Sequence, residues 1–336
     1  MFRSASLLAL FFFCASTLAQ PPDRDLNQTD AQGRKQGAWS KSWPSGKTRY
    51  LGQFRDDKPF GTFTHYSEDG KLATQQVYAP DGIVSHATHY HPNGAVVARG
   101  KYLGQKKDST WNYFDEEGHA QSIERYKNGE LDGERVVYYD NGQIAENTSF
   151  KLGKQHGPWR QHFNDGKVKA KAEFIEGEAE GTMTWYYPDG DKEIEGKCVG
   201  GQRDGVWIYY NEDGTIQLTM AYKLGELVNT RKMNGNFKDY FDDDQLKEEV
   251  TYRNGKKEGP FKEYRPNGKF ITRIVPGDPS TGIPDEEEKV WDGQVVKRTG
   301  TYKNDLLEGE VKTMAENGAV VKTEVYVAGQ LIRSTP

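Results

Sequence analysis

Apolar and polar residues alternate along many short segments of this chain. In GTIQLTMAY (214–222), every second residue from the isoleucine onward is apolar, and the residues between are polar or small. The segment GKVKAKAEF (166–174) alternates in the same way and places lysines opposite the apolar set. This pattern predicts strands of an antiparallel sheet that is packed on one side and solvated on the other. Helical periodicity is nowhere sustained, so we expect an all-β fold.

The alternating segments belong to a repeat of 24 residues. Each copy starts with a small residue, called position zero, that precedes an aromatic cluster. Eight starts follow one another at intervals of 24 residues: Gly37, Gly61, Ser85, Ser109, Gly133, Gly157, Gly181 and Gly205. Less regular copies are expected at Asn236, Gly259, near Pro284 and at Gly309. The sequence therefore predicts about twelve repeats, eight regular ones over 37–228 and about four irregular ones over 229–333.

Each unit is predicted to be strand, turn, strand, turn. A glycine recurs nine positions after position zero, and prolines such as Pro44 and Pro188 stand two residues before it. Proline fixes φ near −65° and excludes a type I′ turn at that point. A type I turn followed by a left-handed glycine, the G1 bulge, fits this spacing.

The first strand of each repeat is less regular than the second. Aromatic residues stand at position five and often at position two, which are three residues apart and should face opposite ways in a regular strand. Either both faces carry aromatics or a bulge intervenes. Trp111, Trp159 and Trp207 occupy position two of every second copy. This spacing indicates a structural unit of two repeats.

Composition fits many short strands joined by tight turns, because the chain holds 37 Gly and 19 Tyr but only 35% apolar residues. Its net charge is −5, and it contains no basic tract, so nucleic acid is not an expected partner. Residues 1–19 resemble a signal peptide, with Arg3, an apolar stretch and a cleavage site near Ala19. We expect an exported protein, periplasmic or extracellular, with a lead-in over 20–36 and no membrane insertion beyond this peptide.

Candidate chemistry is sparse. His65, His86, His89 and His91 form the densest group of metal-type ligands, but the strand spacing favours substituted aromatic positions over a metal site. Two acidic runs, Asp242–Asp244 and Asp285–Glu288, lack the spacing of a calcium loop.

Cys198 takes an inward aromatic position in the seventh copy, which predicts a buried thiol. We therefore predict no catalytic residue, no cofactor site and no metal site.

The motif Y-x-N-G-x-x-x-G, with an aromatic pair and a D/N-G turn, resembles the MORN repeat, in particular a bacterial variant often described as an antitoxin component. It reads YKNGELDGE at 126–134, YRNGKKEGPF at 252–261 and YKNDLLEGEV at 302–311. The resemblance covers roughly 33–333 and implies an elongated single-layer antiparallel sheet of tandem hairpins. Extra residues near 229–235 and an insertion at 275–288 depart from the pattern.

These features predict an exported scaffold, not an enzyme, that binds a protein or another extracytoplasmic ligand such as a glycan. An antitoxin or immunity-like protein that neutralises one partner is the alternative. A glycan-active enzyme with paired carboxylates is a minor alternative, because a single sheet offers little cleft. The segment 275–288 is a candidate for a specific contact, and a tolerated insertion is the competing interpretation.

Overall fold

The computed structural model describes residues 26–275 and 286–336, and these form two compact units. The first unit runs to Ile144 and includes Phe150–Gly153, and the second comprises Ala145–Ser149 and Lys154–Pro336. The predicted signal peptide at 1–19 and part of the lead-in lie outside the described residues. Within them all regular structure is β-strand, which confirms the all-β prediction.

The first unit contains ten strands. They are β1 (Gln28–Thr29), β2 (Lys35–Ser42), β3 (Thr48–Arg55), β4 (Lys58–Tyr66), β5 (Leu72–Tyr78), β6 (Val84–Tyr90), β7 (Val96–Leu103), β8 (Lys106–Phe114), β9 (Ala120–Lys127) and β10 (Glu130–Tyr138). Each strand pairs antiparallel with the next one along the chain. The first unit is therefore a run of successive hairpins, as the repeat predicts.

Strand β11 (Ile144–Lys151) contains the boundary between the units. The strands that follow it are β12 (Lys154–His162), β13 (Val168–Ile175), β14 (Glu178–Tyr186), β15 (Lys192–Val199), β16 (Gln202–Tyr210), β17 (Ile216–Lys223), β18 (Glu226–Lys232), β19 (Gly235–Tyr240), β20 (Leu246–Arg253), β21 (Lys256–Tyr264), β22 (Lys269–Val275), β23 (Glu286–Asp292), β24 (Val296–Lys303), β25 (Leu306–Met314), β26 (Val320–Val327) and β27 (Gln330–Thr335). Successive antiparallel pairs again join β12 to β18.

The first turn of each repeat has the predicted G1 geometry. In the turn between β2 and β3, the Gly46 N–H donates to the Trp43 carbonyl at 2.9 Å, and the Trp43 N–H donates to the Lys47 carbonyl at 2.8 Å. Gly46 has φ +84°, whereas Pro44 keeps an ordinary negative φ. A type I turn closed by a left-handed glycine is thus confirmed.

The second turn of each repeat connects it to the next one. Asn128 and Gly129, between β9 and β10, both have positive φ (54° and 92°), as a two-residue type I′ turn requires. The Gly129 N–H also donates to the Lys107 carbonyl at 2.9 Å. Equivalent bonds run from Gly153 to Leu131 and from Gly225 to Arg203. Backbone hydrogen bonds therefore link neighbouring turns along this edge.

One face of the sheet, which we call the packed face, holds the rings at position two. Trp111 and Trp207 are only 1% exposed, and Phe63 is 5% exposed. A glycine lies under each of these rings on the preceding strand: a Cβ on Gly100 would overlap the Trp111 indole, and one on Gly196 would overlap the Trp207 indole. The rings are buried because the adjacent strand carries no side chain at the point of contact.

This contact explains the spacing of two repeats. Position two is large and buried in the second, fourth and eighth copies, and the glycine beneath it belongs to the odd-numbered copy before. The sixth copy departs from this contact, because Thr148 stands in place of the glycine and Trp159 is only half-buried. In the third copy, position two is Ala87, which is 2% exposed. That same copy starts at Ser85, which is fully buried and accepts a hydrogen bond from Gln76 Nε2 at 2.7 Å. Adjacent copies thus alternate in packing, as the tryptophan spacing indicates.

The irregular copies differ in register from the sequence-based prediction. Gly235 pairs with Tyr252 as Gly37 pairs with Phe54, so the ninth copy starts at Gly235, one residue before the predicted Asn236. The extra residues lengthen its first strand, which divides into β18 and β19. Strand β18 pairs with β17 and strand β19 pairs with β20, and no described ladder joins β18 to β19.

A separate hairpin stands where the turn between the two strands of the tenth copy is expected. Strand β21 pairs directly with β24, while β22 and β23 pair only with each other among the described strands. The copy predicted near Pro284 begins outside the described residues, and the strands on either side of it form this separate hairpin. The described residues therefore contain eleven copies, the tenth of which is interrupted between β21 and β24.

The G1 bulge gives a direct test at Gly190, whose φ is +106° and whose Cβ position is open. Gly190→Ala should lower the free energy of unfolding by about 1–2 kcal/mol, because an L-residue is strained in this conformation. Gly190→Asn should cost less, since Asn tolerates it and Asp244 already does so with φ +65° in the ninth copy. Urea unfolding of the three proteins measures the difference, and equal stability of all three would contradict the assigned turn.

Candidate binding surface

Both faces of the sheet carry aromatic side chains, which answers the question left open by the first-strand spacing. Trp111 and Tyr113, at positions two and four, have ring centroids 6.3 Å apart and share the packed face. Phe114 follows Tyr113 and points to the opposite face. There the Arg99 guanidinium carbon lies 5.2 Å from the Phe114 ring centroid. We call this opposite side the open face.

A line of side chains crosses the open face of the first unit. Directly opposed residues on antiparallel strands point to the same side of a sheet. The cross-strand partners from β3 to β9 therefore form one row, the polar row: Leu51, Thr64, Gln75, Thr88, Arg99, Asn112 and Ile123. It contains amide, hydroxyl and guanidinium groups but no carboxylate.

An aromatic row runs beside the polar row. Tyr66, Tyr90 and Phe114 stand two residues beyond polar-row members on β4, β6 and β8, so they share the open face. All three rings are half-buried. The Tyr90 hydroxyl donates to Gln75 Oε1 at 3.1 Å, which ties the two rows together. Since every second strand carries a ring, neighbouring rings are about 10 Å apart.

The charged side chain within the polar row is a cation, Arg99. Arg99 is exposed, and among the described residues it has no ion-pair partner. Asp108 reaches the same face but forms a 2.6 Å ion pair with Lys101. Hydrogen bonds from Lys101 and Ser109 lower the pKa of Asp108, so it stays ionised and neutralises that lysine. Arg99 is therefore an uncompensated charge of the patch, and so is the exposed Arg49, two residues before Leu51 on β3.

The open face of the second unit has the same layout but mixed charge. Its row contains Lys171, the fully buried Thr184 and Glu195, and the rings beside it are Tyr186 and Tyr210. Here Glu195 accepts an ion pair from Lys192 at 2.6 Å, and Lys171 Nζ lies 5.4 Å from the Tyr186 ring centroid. This surface thus matches the first in aromatic spacing and differs from it by the carboxylate in its row.

The histidine group is divided between packing and solvent. His65 packs against Tyr50 and Phe63, and His89 stacks on Trp111 with ring centroids 5.8 Å apart. His86 is exposed. His91 bonds the Phe114 carbonyl through Nε2 at 3.1 Å.

Burial lowers the pKa values of His65 and His89, and nearby positive groups lower them further. These two residues occupy aromatic positions on the packed face, as the sequence indicates.

The donor atoms of Asp115, Glu117 and His119 lie within 4.8 Å of one another, in the turn after β8. Asp115 accepts hydrogen bonds from the backbone N–H groups of both neighbours and from His119 Nδ1. These bonds close the turn and account for the cluster.

In the first acidic run, Asp243 accepts bonds from Gln245, and Asp244 occupies the left-handed turn position. The second acidic run begins outside the described residues, and most of the segment 275–288 also lies outside them.

The prediction for Cys198 is confirmed. Its side chain is 3% exposed, packs beside Trp207 and Ala179, and lies 3.4 Å from Met183 Sδ. Burial raises the pKa of the thiol. Cys198 is therefore part of the packed face.

The sequence analysis did not predict the role of several residues that stabilise the packed face. Lys107 Nζ lies about equally far from three rings, 4.8 Å from Trp111, 5.0 Å from Tyr113 and 5.0 Å from Tyr126. Arg203 lies 4.4 Å from Trp207 in the equivalent position. The glycines under the rings were also missed. Their spacing carried a signal, because Gly52, Gly100 and Gly196 recur in phase with the large residues at position two.

Five segments between residues 131 and 254 match a known family. The family model described as "MORN repeat variant" matches residues 131–152, 155–176, 179–197, 203–224 and 233–254. The last match starts two residues before Gly235, as the others do before their own position zero. None of the curated proteins compared with the chain matches it.

Similar solved structures show only loose likeness. The crystal structure of TcdB2-TccC3 is 12% identical, with 89% of this chain and 16% of that chain covered and a TM-score of 0.17. The chain thus spans about one sixth of that relative's length. A porin-like protein from Bacteroides uniformis ATCC 8492 is 7% identical, and the match covers 76% of this chain and 94% of that protein with a TM-score of 0.18. These values carry no functional argument. Across 26–275 and 286–336, the structure contains no helix that could cross a membrane.

The packed histidines predict acid sensitivity. Because folding lowers the pKa values of His65 and His89, their contribution to stability is complete above the unfolded value of 6.5 and declines as pH falls below it. The melting temperature should therefore decrease on mild acidification. Replacing both residues with Phe should flatten this dependence, whereas His86→Phe at an exposed site should not. An unchanged pH profile in the double variant would contradict the assignment.

Proposed function

Because the chain belongs to the MORN-repeat family, we propose that it is an exported, non-enzymatic β-repeat scaffold that binds an extracytoplasmic ligand, in the first place a protein, through its open face. The repeats themselves carry no reactive group in this proposal. They display side chains at fixed intervals, and the ligand is held by many such contacts. The signal-peptide pattern of residues 1–19 supports the exported location.

The observation that carries this proposal is the division of aromatic residues between the two faces. On the packed face, Trp111 and Trp207 are almost completely buried by contacts between neighbouring strands. On the open face, Tyr66, Tyr90 and Phe114 remain half-buried beside exposed polar groups. Rings that are held rigidly yet remain accessible are frequent anchors in binding surfaces.

The form of the surface supports binding over catalysis. Catalytic sites need reacting groups held in a water-excluding pocket. A depression in the second unit is lined by Phe241, Lys247 and Tyr264, and it is partly open to solvent. The Tyr264 hydroxyl there donates to Glu249 Oε2 at 3.0 Å, which is a satisfied structural contact.

A pull-down from the cell envelope tests the open face. The purified protein is compared with a variant that replaces Tyr66 and Tyr90 with Ser. A control variant carries Glu68→Ser and Glu212→Ser, two exposed turn positions. Mass spectrometry and sugar analysis of the retained material measure binding.

We expect the protein and the control variant to retain the same ligand and the tyrosine variant to lose most of it. Removal of these anchor rings should weaken binding by at least about tenfold. Equal retention by all three proteins would refute the open face as the binding surface. Retention of nothing by the unaltered protein would refute the scaffold proposal itself.

A further inference from the structure

We propose that the aromatic row of the first unit, with Arg99 beside it, binds a β-1,4-linked polysaccharide whose sugars carry carboxylates. The inference rests on the proposed function, because it names a ligand class for the same open face. It concerns Tyr66, Tyr90 and Phe114 on the strands β4, β6 and β8. The polymer would lie across the strands, along the row.

The spacing of the rings favours a glycan. Consecutive rings stand on every second strand, so their separation is about 10 Å. One disaccharide of an extended β-1,4-linked chain has nearly this length, so every second sugar can stack on a ring. Sugar rings present C–H groups on their flat faces, which pack well against aromatic side chains. The repeat period of the protein thus matches the repeat period of such a polymer.

An extended peptide matches the row less well. Side chains on one face of a β-strand recur every two residues, at about 6.6–6.8 Å. This interval falls out of phase with rings about 10 Å apart after a single step. A peptide could meet one ring of the row but not successive rings in the same way.

The charge of the patch indicates an acidic polymer. The chain as a whole carries a net charge of −5, yet the polar row contains no carboxylate and includes the unpaired Arg99. The guanidinium carbon of Arg99 lies 5.2 Å from the Phe114 ring centroid, so its N–H groups can meet the carboxylate of a sugar that stacks on the neighbouring Tyr90. In an extended β-1,4 chain successive sugars are turned over, so one carboxylate of each disaccharide faces the polar row.

Neutral donors and acceptors complete the recognition set. Gln75 is exposed and already orients Tyr90 through its Oε1, so its amide nitrogen remains available to a sugar hydroxyl. Thr88 and Asn112 stand at the same level of the row, on either side of Arg99. Hydroxyl and amide groups of this kind pair with sugar hydroxyls.

The second unit supplies a matched control within the same protein. Tyr186 and Tyr210 have the same interval, but their row contains Glu195, whereas the polar row of the first unit contains no carboxylate. Aromatic spacing is therefore common to both surfaces, and the guanidinium group of Arg99 belongs only to the first.

The experiment measures binding of a purified β-1,4-linked mannuronate hexamer by isothermal titration calorimetry. The comparison ligands are a neutral β-1,4-linked glucose hexamer and a poly-glutamate peptide of similar charge. The proteins are the unaltered chain, Tyr90→Ala/Phe114→Ala, the matched control Tyr186→Ala/Tyr210→Ala, and Arg99→Gln. Circular dichroism and melting curves verify that each variant folds. Arg99 is exposed, so Arg99→Gln should leave the fold unchanged.

We expect the mannuronate hexamer to bind the unaltered chain and the control equally. Tyr90→Ala/Phe114→Ala should weaken this binding by about tenfold or more. Arg99→Gln should weaken it and reduce its salt dependence, while it leaves the weaker binding of the neutral hexamer unchanged. The inference would be overturned if Tyr90→Ala/Phe114→Ala and Tyr186→Ala/Tyr210→Ala weakened binding equally. It would also be overturned if poly-glutamate bound more strongly than the mannuronate hexamer, or if the hexamer did not bind.

Failure here and failure of the proposed function are distinguishable. If the envelope pull-down retains a protein through the open face while the hexamer does not bind, the scaffold function stands and the glycan inference fails. If neither experiment shows binding that depends on the open face, both fail.

Discussion

The fold depends on how a single-layer sheet buries its rings without a second layer to cover them. The solution here is a large ring at position two that lies directly over a glycine on the adjacent strand. Trp111 over Gly100 and Trp207 over Gly196 are buried as deeply as residues of a globular core. Because this burial is made between neighbouring hairpins, each repeat is stabilised by the next one, and the array can extend by addition of copies.

Local features of the fold could be predicted from the sequence, and features that depend on strand pairing could not. The strands, the 24-residue period and the G1 turn follow from alternation and from the placement of proline and glycine. The start of the ninth copy at Gly235 and the direct pairing of β21 with β24 depend on which strands meet across an insertion. Sequence spacing alone does not contain that information.

In the candidate surface, too, local features could be predicted from the sequence and features that depend on strand pairing could not. The tyrosines at position five are evident as a periodic signal, but their neighbours are not. Arg99 and Gln75 join Tyr90 and Phe114 only through the cross-strand register, since they come from different strands. The sequence could place aromatics on both faces only as one of two alternatives. The register decides between them and also shows which face is used for packing.

The two faces thus have separate roles. Side chains on the packed face make the contacts between repeats, and even the polar groups there are engaged, as Lys107 is among its three rings. Side chains on the open face contribute less to that packing and can vary in charge from one unit to the other. One repeat architecture thus carries open surfaces of different charge in the two units.

A double-mutant cycle between Gly196 and Trp207 tests the central contact most directly. The account predicts that Gly196→Ala strongly destabilises the protein when Trp207 is present, by about 1–3 kcal/mol, because the added methyl overlaps the indole. In a Trp207→Leu background the same substitution should cost much less, which gives a coupling of at least about 1 kcal/mol. Additive effects of the two substitutions would contradict the account.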